Sequence, residues 1–319
     1  MQTCPVGRIV VTTKSVDSCW YSTIQANWFH GANVNLLRAL PFSAASLLLL
    51  LIGCGSSPST ATTTQTSPPP PSAATAVYVM QVDQTTNAQS ILELPLNGQS
   101  SVAPIATLNL PPYTFFNGFT VDPSGNIYVG ADLQPPNSNT ISFEILVYAA
   151  GASGAATPIR TITGFPESVS SIAVDATGQI YAMGLFHASS IDIYAPNATG
   201  AAIPVRQIYG FGYFTAFNYA IDLDGADNIF FTTLSPAGGT AVFSSTATGN
   251  ASPIRNVGIV YKVYAAAVDT AGNLYYIVFD NSGNNWDIYE YPPSTNGGVF
   301  RSTPSRTITF TPPSSPTSL

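Results

Sequence analysis

The sequence predicts an all-β chain whose main body is a β-propeller of four-stranded blades. In residues 171–210, two short apolar runs flank the turn Asp175-Ala176-Thr177-Gly178, and two further strand-like runs follow. An aspartate three residues before a glycine favours a tight hairpin, because its carboxylate accepts amide hydrogens and glycine takes positive φ at little cost. One such unit therefore supplies four short strands.

The unit recurs, and two landmarks keep the same order in every copy. The first is the aspartate of the turn, spaced at intervals of 53, 49 and 45 residues along Asp122, Asp175, Asp224 and Asp269. The second is a Pro-x-Arg at the start of the last strand, with its arginine at Arg160, Arg206, Arg255 and Arg306. Repeats of about 40 to 50 residues with four strands each are typical of propeller blades.

The blade count depends on the two ends of residues 76–319, which we assign to the propeller. The first repeat begins at Ala76 with a match to the second strand of the unit, so its own first strand is missing. Two interpretations fit. Either residues 316–319 supply that strand and close a five-bladed ring, or the chain is a fragment whose missing part holds one or more further blades, as in a six-bladed ring. An open ring would expose strand edges.

Composition limits the classes of function. Charged residues make up 8% of the chain, hydrophobic residues 45%, and the net charge is −7. This composition argues against disorder, and an acidic chain lacks the basic surface that nucleic acid requires. The chain has three cysteines, Cys4, Cys19 and Cys54, and residues 76–319 hold none, so a disulfide framework is not predicted there.

The N-terminal region reads as an export signal. Residues 1–33 show no repeat and no strand or helix pattern, and we expect translation to start near Val34. From there a single Arg38 precedes an apolar stretch that ends with a small residue before Cys54. A transmembrane anchor is the alternative, but residues 39–53 are shorter than the roughly 20 residues that a spanning helix needs.

Residues 51–54, Leu-Ile-Gly-Cys, resemble the lipobox of bacterial lipoproteins. The resemblance implies that residues 1–53 are removed as a signal peptide and that Cys54 is lipidated. Gly55 follows the cysteine, which implies an outer-membrane or cell-surface location in the bacterial cell envelope. Residues 54–75 are rich in Ser, Thr and Pro, a composition that cannot bury a core and favours an extended tether.

Residues 76–310 resemble NHL-type repeats and the propellers of the gluconolactonase-like group, through segments such as SIAVDATGQIYAM and AAVDTAGNLYY. The resemblance implies the propeller fold. In gluconolactonase-like enzymes a divalent metal is held at the channel mouth by Glu, Asn and Asp. Residues of those types here are Glu167, Asn218, Asp132 and Asp280, although no motif fixes them as ligands.

The repeated charged residues favour structural roles. The turn aspartates are expected to cap their turns; the alternative is a Ca²⁺ site, since calcium takes six to eight oxygen ligands. Asp227 stands where the other turns have glycine, and aspartate tolerates left-handed φ. We expect the arginines to lie on outer strands, deter edge pairing and bind an aspartate of the next blade; recognition of an acidic polymer is the alternative.

His187 is the only histidine after Cys54, in the loop between the second and third strands of its unit. A streptogramin-lyase-like propeller uses a histidine as general base, but a surface histidine is the preferred interpretation. No G-x-S-x-G, phosphate-binding or H-E-x-x-H motif is present. We therefore predict no catalytic residue and no cofactor.

Aromatic residues are the candidate ligand-binding set. The loops before each first strand and those between second and third strands should share one face, and they carry Tyr113, Phe116, Tyr213, Phe214, Phe217, Tyr261 and Trp286. Exposed rings near amides suit stacking on sugars or contact with a peptide. The alternative is that several of these rings belong to the core between blades.

Taken together, these features favour an exported, lipid-anchored propeller that binds a glycan or a protein ligand without catalysis. Two alternatives stay open. One is a divalent-metal-dependent, lactonase-like hydrolase or lyase. The other is a structural protein of the cell envelope. A metal requirement would indicate the enzyme, and retention on a glycan without turnover would indicate the binding module.

Overall fold

The computed structural model describes residues 8–14, 21–27 and most of 76–310. Within the last range the gaps are 84–85, 87, 96–102, 113, 135–136, 138–139, 185–189, 210–218, 234–238, 259–262, 281–284 and 296–301. The remaining residues, including the Leu-Ile-Gly-Cys segment and the tether, lie outside the described part of the chain.

The described residues form five sheets, one for each blade, in which the strands of each blade pair antiparallel. The first contains β1 (Arg8–Lys14), β2 (Tyr21–Asn27), β3 (Ala76–Val82), β4 (Gln89–Pro95) and β5 (Ala106–Asn109), hydrogen-bonded in the order β2-β1-β3-β4-β5. The second contains β6 (Thr114–Val121), β7 (Ile127–Leu133), β8 (Ser142–Tyr148) and β9 (Arg160–Thr163).

The third blade contains β10 (Val169–Val174), β11 (Ile180–Gly184), β12 (Ser190–Tyr194) and β14 (Arg206–Tyr209); the short β13 (Gly200–Ala201) pairs in parallel with β9 of the blade before. The fourth contains β15 (Tyr219–Leu223), β16 (Ile229–Thr233), β17 (Gly239–Phe243) and β18 (Arg255–Gly258). The fifth contains β19 (Val263–Val268), β20 (Leu274–Asp280), β21 (Asn285–Tyr291) and β22 (Arg306–Phe310).

The five sheets are arranged as a propeller ring. Along the ring, β6 contacts β1 and β10, β10 contacts β15, β15 contacts β19, and β19 contacts β2 of the first sheet. The predicted fold class, an all-β propeller of four-stranded blades, is therefore confirmed. Of the two predicted ring sizes, the described residues form the five-bladed one.

The first blade takes its inner strand from an unexpected place. Strand β1 pairs with β2 and, through Val11–Thr13, with Val77–Val79 of β3. The expectation of no strand pattern in residues 1–33 was therefore wrong. These residues carry neither repeat landmark, so the repeat pattern could not reveal them. Residues 316–319, the predicted source of the missing strand, lie outside the described residues.

The core lies between neighbouring blades. Strand residues alternate between the two faces of a sheet, so each blade presents apolar side chains to both neighbours. One cluster joins Tyr128 and Val147 of the second blade to Ile172, Ile180 and Tyr194 of the third. Such face-to-face packing needs large side chains, and Tyr148, Tyr181, Tyr276 and Tyr291 are among the largest fully buried ones.

Candidate functional site

The antiparallel order gives each blade two ends with different chemistry. At one end, which we call the turn face, first strands turn into second strands and outer strands begin. At the other end, the loop face, outer strands lead to the next blade and second strands connect to third strands. The registers of β10 with β11 and of β12 with β14 show this alternation directly.

Each turn aspartate organises its own hairpin. Asp175 accepts hydrogen bonds from the backbone amides of Thr177 and Gln179, both at 2.9 Å, and from the Tyr181 hydroxyl at 3.2 Å. Asp122, Asp224 and Asp269 accept the same kind of amide bonds from their own turns. The prediction that these aspartates cap turns is confirmed.

Burial and the neighbouring Asp175 carboxylate raise the pKa of the Tyr181 hydroxyl to about 12. The hydroxyl therefore stays protonated and keeps donating to Asp175 at neutral pH. Among the described residues, no group of three or more His, Cys, Asp and Glu side chains lies together as a metal-binding set.

Asp227 occupies the left-handed position of its turn. Its φ is 58°, whereas the equivalent residues of the other three turns are glycines with φ between 82° and 90°. This confirms the expectation that aspartate takes the place of glycine there. Burial raises the pKa of the Asp227 carboxyl above its ordinary value, and the Asp175 and Asp224 carboxylates add to the rise.

The repeated arginines begin outer strands, as predicted, but their partners are different from those expected. Arg206 donates to the carbonyl oxygens of Ser245 and Ala247 in the next blade, at 2.6 and 2.7 Å. Arg160 donates to the carbonyls of Pro196 and Ala198 in the same way. The expected pairing with an aspartate of the next blade was therefore wrong for both.

Arg255 and Arg306 differ most in burial among the four arginines. Arg255 is buried and donates to four carbonyl oxygens of the fifth blade, those of Gly272, Tyr291, Pro292 and Thr295. Arg306 is exposed and instead forms an ion pair, at 2.7 Å, with the partly buried Glu290 of its own blade. Three of the four guanidinium groups are therefore bound to backbone carbonyls. This arrangement does not support the alternative that the arginines form a row that recognises an acidic polymer.

The loop face carries a cleft on the third blade, beside the connection that leads to it from the second blade. It has a volume of about 240 Å³ and is lined by Phe165, Pro166, Glu167, Val169, Ala182, Met183, Gly184, Ser190 and Asp192. The first three residues belong to the connection between β9 and β10, and the others to β10, β11 and β12. The cleft therefore depends on one loop and on the ends of three strands.

The Glu167 side chain packs against Gly184, which has no Cβ atom. A Cβ atom at Gly184 would lie 1.8 Å from Oε1 of Glu167, so the Glu167 carboxylate occupies the space that any other residue at position 184 would fill. Next to it, Ser168 donates to Oδ2 of Asp132 at 2.5 Å, which ties the loop to the second blade. These two contacts fix the loop that forms one wall of the cleft.

The opposite wall is polar. Asp192 accepts hydrogen bonds from Ser190 Oγ and Gln207 Nε2, both at 2.9 Å. A carboxylate offers about four acceptor positions, so these bonds leave Asp192 able to accept more. Phe165 packs edge-on against Tyr194, with ring centroids 5.4 Å apart, and remains only partly buried. The cleft thus combines an aromatic ring, an apolar floor and two carboxylates.

Of the predicted aromatic set, the structure describes the side chains of Phe116 and Trp286. Phe116 is 7% exposed and belongs to the core cluster shared by the first two blades. Trp286 lies partly buried on β21, opposite Phe279 and Phe310 in the sheet register. The binding role of the rest of the set stays a prediction, because Tyr113, Tyr213, Phe214, Phe217 and Tyr261 lie outside the described residues.

Several other candidates also lie outside the described part of the chain: Cys54, His187 and Asn218. Of the four residues named for a gluconolactonase-like metal site, Asp132 accepts a hydrogen bond from Ser168, the chain neighbour of Glu167, while the Asp280 side chain is not described. Sequence reasoning named Glu167 but missed Asp192 and Gly184, which have no repeat or motif to mark them.

No protein-family model and no curated protein matches this chain. Among solved structures, it is similar to a protein of unknown function from Bacteroides caccae, with 8% identity, a TM-score of 0.46 and 90% coverage of both chains. It is also similar to Raptor from Chaetomium thermophilum, with 11% identity and a TM-score of 0.46, covering 75% of this chain and 20% of that one.

A third similarity is to the WD40 β-propeller domain of Doa1, with 12% identity, a TM-score of 0.36, and coverage of 63% of this chain and 82% of that domain. TM-scores this low carry no conclusion, so the fold assignment rests on the sheets and blade contacts above. Within the described residues, no helix is long and apolar enough to cross a bilayer.

Proposed function

We propose that this chain is an exported, lipid-anchored propeller that binds a glycan without catalysis in the cleft beside Phe165. The observation that carries the proposal is the composition of the cleft. It places a partly exposed aromatic ring next to the acceptor groups of Glu167 and Asp192. Sugars need this pairing, because their C–H faces stack on rings while their hydroxyls donate to carboxylates.

The size of the cleft limits the ligand. At about 240 Å³ it is smaller than the sites of drug-sized ligands, which span about 300 to 1,000 Å³. A site of this size suits one sugar ring of a longer glycan, with the rest of the polymer lying across the loop face. A peptide ligand would use the same cleft for a single side chain.

The anchor is the part of the proposal that comes from the sequence. The apolar stretch that ends in Leu-Ile-Gly-Cys supports cleavage before Cys54 and lipidation of its sulfur. Cleavage there would also remove β1 and β2, so that β3 becomes the innermost strand of the first blade. The mature first blade would then contain three strands of its own.

A metal-dependent hydrolase is the second candidate, and one contact favours it. Ser168 joins Asp132 to the residue adjacent to Glu167, so two residues of the metal-binding type lie close to one cleft. A divalent cation there would polarise a substrate carbonyl. This candidate requires that binding or turnover stop when EDTA removes the metal.

Isothermal titration of the chain against hexoses, N-acetylhexosamines and short oligosaccharides tests the proposal. We expect binding of at least one sugar class in the presence of EDTA. Phe165→Ala and Asp192→Asn should each weaken it by about five- to thirtyfold, since each removes a contact worth about 1 to 2 kcal/mol. Glu144→Gln, on β8 outside the cleft lining, is the matched control. Equal affinity in all variants would exclude this cleft.

A further inference from the structure

We infer that the rim of the turn face is a membrane-contacting surface, so that the propeller rests with this face on the lipid layer that holds Cys54. This inference rests on the lipid anchor in the proposed function. It adds an orientation and a second interaction surface, which is distinct from the cleft on the loop face. The partner it fits is a lipid surface.

The rim carries one exposed aliphatic residue in each of four consecutive blades. These residues are between 57% and 64% exposed and comprise Ile105, Ile159, Val205 and Ile254. We call them the aliphatic rim. Ile203, in the connection just before Val205, is still more exposed at 85%. Single exposed apolar residues are ordinary, but this set repeats at the same position of four blades and so presents apolar side chains along one end of the ring.

Backbone hydrogen bonds hold the members of the aliphatic rim at equivalent positions. The amide of Ile105 donates to the Glu93 carbonyl at 2.7 Å, and the amides of Ile159, Val205 and Ile254 donate to Val147, Ile193 and Val242, each at 2.8 Å. Each donor immediately precedes the outer strand of its blade. The four side chains therefore project from the same point of each blade, at the edge of the turn face.

The propeller strand that follows the tether, β3, begins at this same face. Residue Ala76, the first residue after the tether, pairs with Pro95 at the end of β4, and Glu93 on β4 pairs with Ala106 at the start of β5. Ala76 and Ile105 therefore lie at the same end of the first blade. A chain held in a membrane at Cys54 thus approaches the propeller from the side that carries the aliphatic rim.

The chemistry favours lipid over an acidic or basic partner. The members of the aliphatic rim carry no charge, and the three arginines that follow Ile159, Val205 and Ile254 bind backbone carbonyls. Shallow insertion of aliphatic side chains into the headgroup region needs no ionic attraction, which suits a chain with a net charge of −7. In this orientation the cleft points away from the membrane.

Fluorescence quenching by lipid tests the orientation. The chain is expressed in bacteria that process lipoproteins and reconstituted in phosphatidylcholine vesicles containing spin-labelled lipid. Removal of residues 1–53 deletes Cys4 and Cys19, and lipidation blocks Cys54, so an introduced cysteine is the only free thiol. An environment-sensitive dye is attached to Ile159→Cys, to Ile254→Cys and to the control Ile141→Cys.

Ile141 is a matched control because it is an exposed aliphatic residue, 45% accessible, that precedes β8 at the loop face. We expect the spin label to quench the dyes at positions 159 and 254 at least threefold more than the dye at 141. Equal quenching at all three positions, or stronger quenching at 141, overturns the orientation. Self-association through the aliphatic rim, seen as a dimer in which the rim dyes are shielded from lipid, also overturns it.

The same preparation separates this inference from the proposed function. The intact mass reports whether Cys54 is acylated, and titration with sugar reports the cleft. An acylated, sugar-binding protein without preferential quenching contradicts only the orientation. A protein that lacks acylation contradicts the anchor, and the orientation falls with it. An acylated protein that shows preferential quenching but does not bind sugar contradicts only the role of the cleft.

Discussion

Arg206 donates a hydrogen bond of 2.7 Å to the carbonyl oxygen of Ala247 in the next blade. Arg160 and Arg255 make the same type of bond across the two flanking blade junctions. In these three repeats the Pro-x-Arg motif therefore marks a residue that joins two neighbouring blades. It holds the turn that follows the third strand of one blade against the outer strand of the blade before it.

Arg255 should be the most important of these residues for stability. Replacing it in Arg255→Met removes a buried guanidinium and leaves four carbonyl oxygens of the fifth blade without their donor. We expect the free energy of unfolding to fall by about 2 to 4 kcal/mol, because buried groups are left unsatisfied. Urea denaturation measures this change.

Arg306→Met is the matched control. The Arg306 guanidinium is exposed and makes a single ion pair with Glu290, so the loss should stay below about 1 kcal/mol. Equal losses for the two variants would show that the contacts of Arg255 with the fifth blade do not stabilise the ring.

The turn aspartates should act as local organisers. Asp269 accepts hydrogen bonds from the amides of Ala271 and Asn273, from the Asn273 side chain and from the Tyr275 hydroxyl. Asp269→Ala should therefore lower the free energy of unfolding by about 2 to 3 kcal/mol. The exposed Asp83, which accepts a bond from the Thr86 amide, gives a control whose loss should stay within about 1 kcal/mol. Calcium should not change either value; a calcium-dependent loss at Asp269 would indicate a metal site.

Asp227 should make stability depend on pH. Its pKa is raised in the folded chain, so the folded state holds the proton more tightly than the unfolded state, and the ionised carboxylate is destabilising. As the pH rises through the folded pKa, this residue costs the chain stability. Asp227→Asn removes the charge while keeping a residue that tolerates left-handed φ.

We expect Asp227→Asn to be more stable than the parent chain at pH 7 by a few tenths of a kcal/mol, as for other like-charge contacts near the surface. The difference should vanish below the ordinary pKa of aspartate, where both side chains are neutral. Asp227→Ala should instead lose about 1 kcal/mol at pH 3, because alanine is strained at positive φ, and a few tenths of a kcal/mol less at pH 7, where it also removes the charge. Thermal unfolding at pH 3 and pH 7 distinguishes charge from backbone strain.

Processing of the N-terminus should remove β1 and β2. We expect the mature protein to begin at Cys54 with acyl groups on that residue, and intact mass measurement of envelope fractions checks this. The remaining chain should still unfold cooperatively, because four hydrophobic clusters lie within residues 76–310. A mature protein that retains residues 8–27 would mean that Arg8–Lys14 is a permanent strand of the first blade and that the chain is not a processed lipoprotein.

The sequence predicts the features that depend on local chemistry. The Asp175 turn, the left-handed Asp227 and the start of an outer strand at Arg206 each follow from the few residues around them. The partners of Arg206 could not be predicted, since the carbonyls of Ser245 and Ala247 come near it only when two blades pack together. Every residue also has a backbone carbonyl, so the sequence does not indicate which carbonyl will be the partner.

The residues of the cleft were also predictable only where local sequence places them. Phe165 and Glu167 stand in a connection that the repeat marks as a loop, so their presence on the loop face was predictable. Gly184 and Asp192 lie in strands with no special motif, and only the register of β11 with β12 brings them to the same cleft. Strand β1 was missed for a similar reason, because its pairing with β3 joins segments separated by about 60 residues of unrelated sequence.

Gly184→Ala tests the central claim most directly, because it displaces the Glu167 carboxylate without straining the backbone of a residue at ordinary φ. Sugar at about a hundred times its dissociation constant should raise the melting temperature of the parent chain by about 5 to 10 °C, with or without EDTA. The same sugar should shift the melting temperature of Gly184→Ala far less. Equal shifts in the two proteins would contradict binding in this cleft, and a shift abolished by EDTA would contradict binding without a metal.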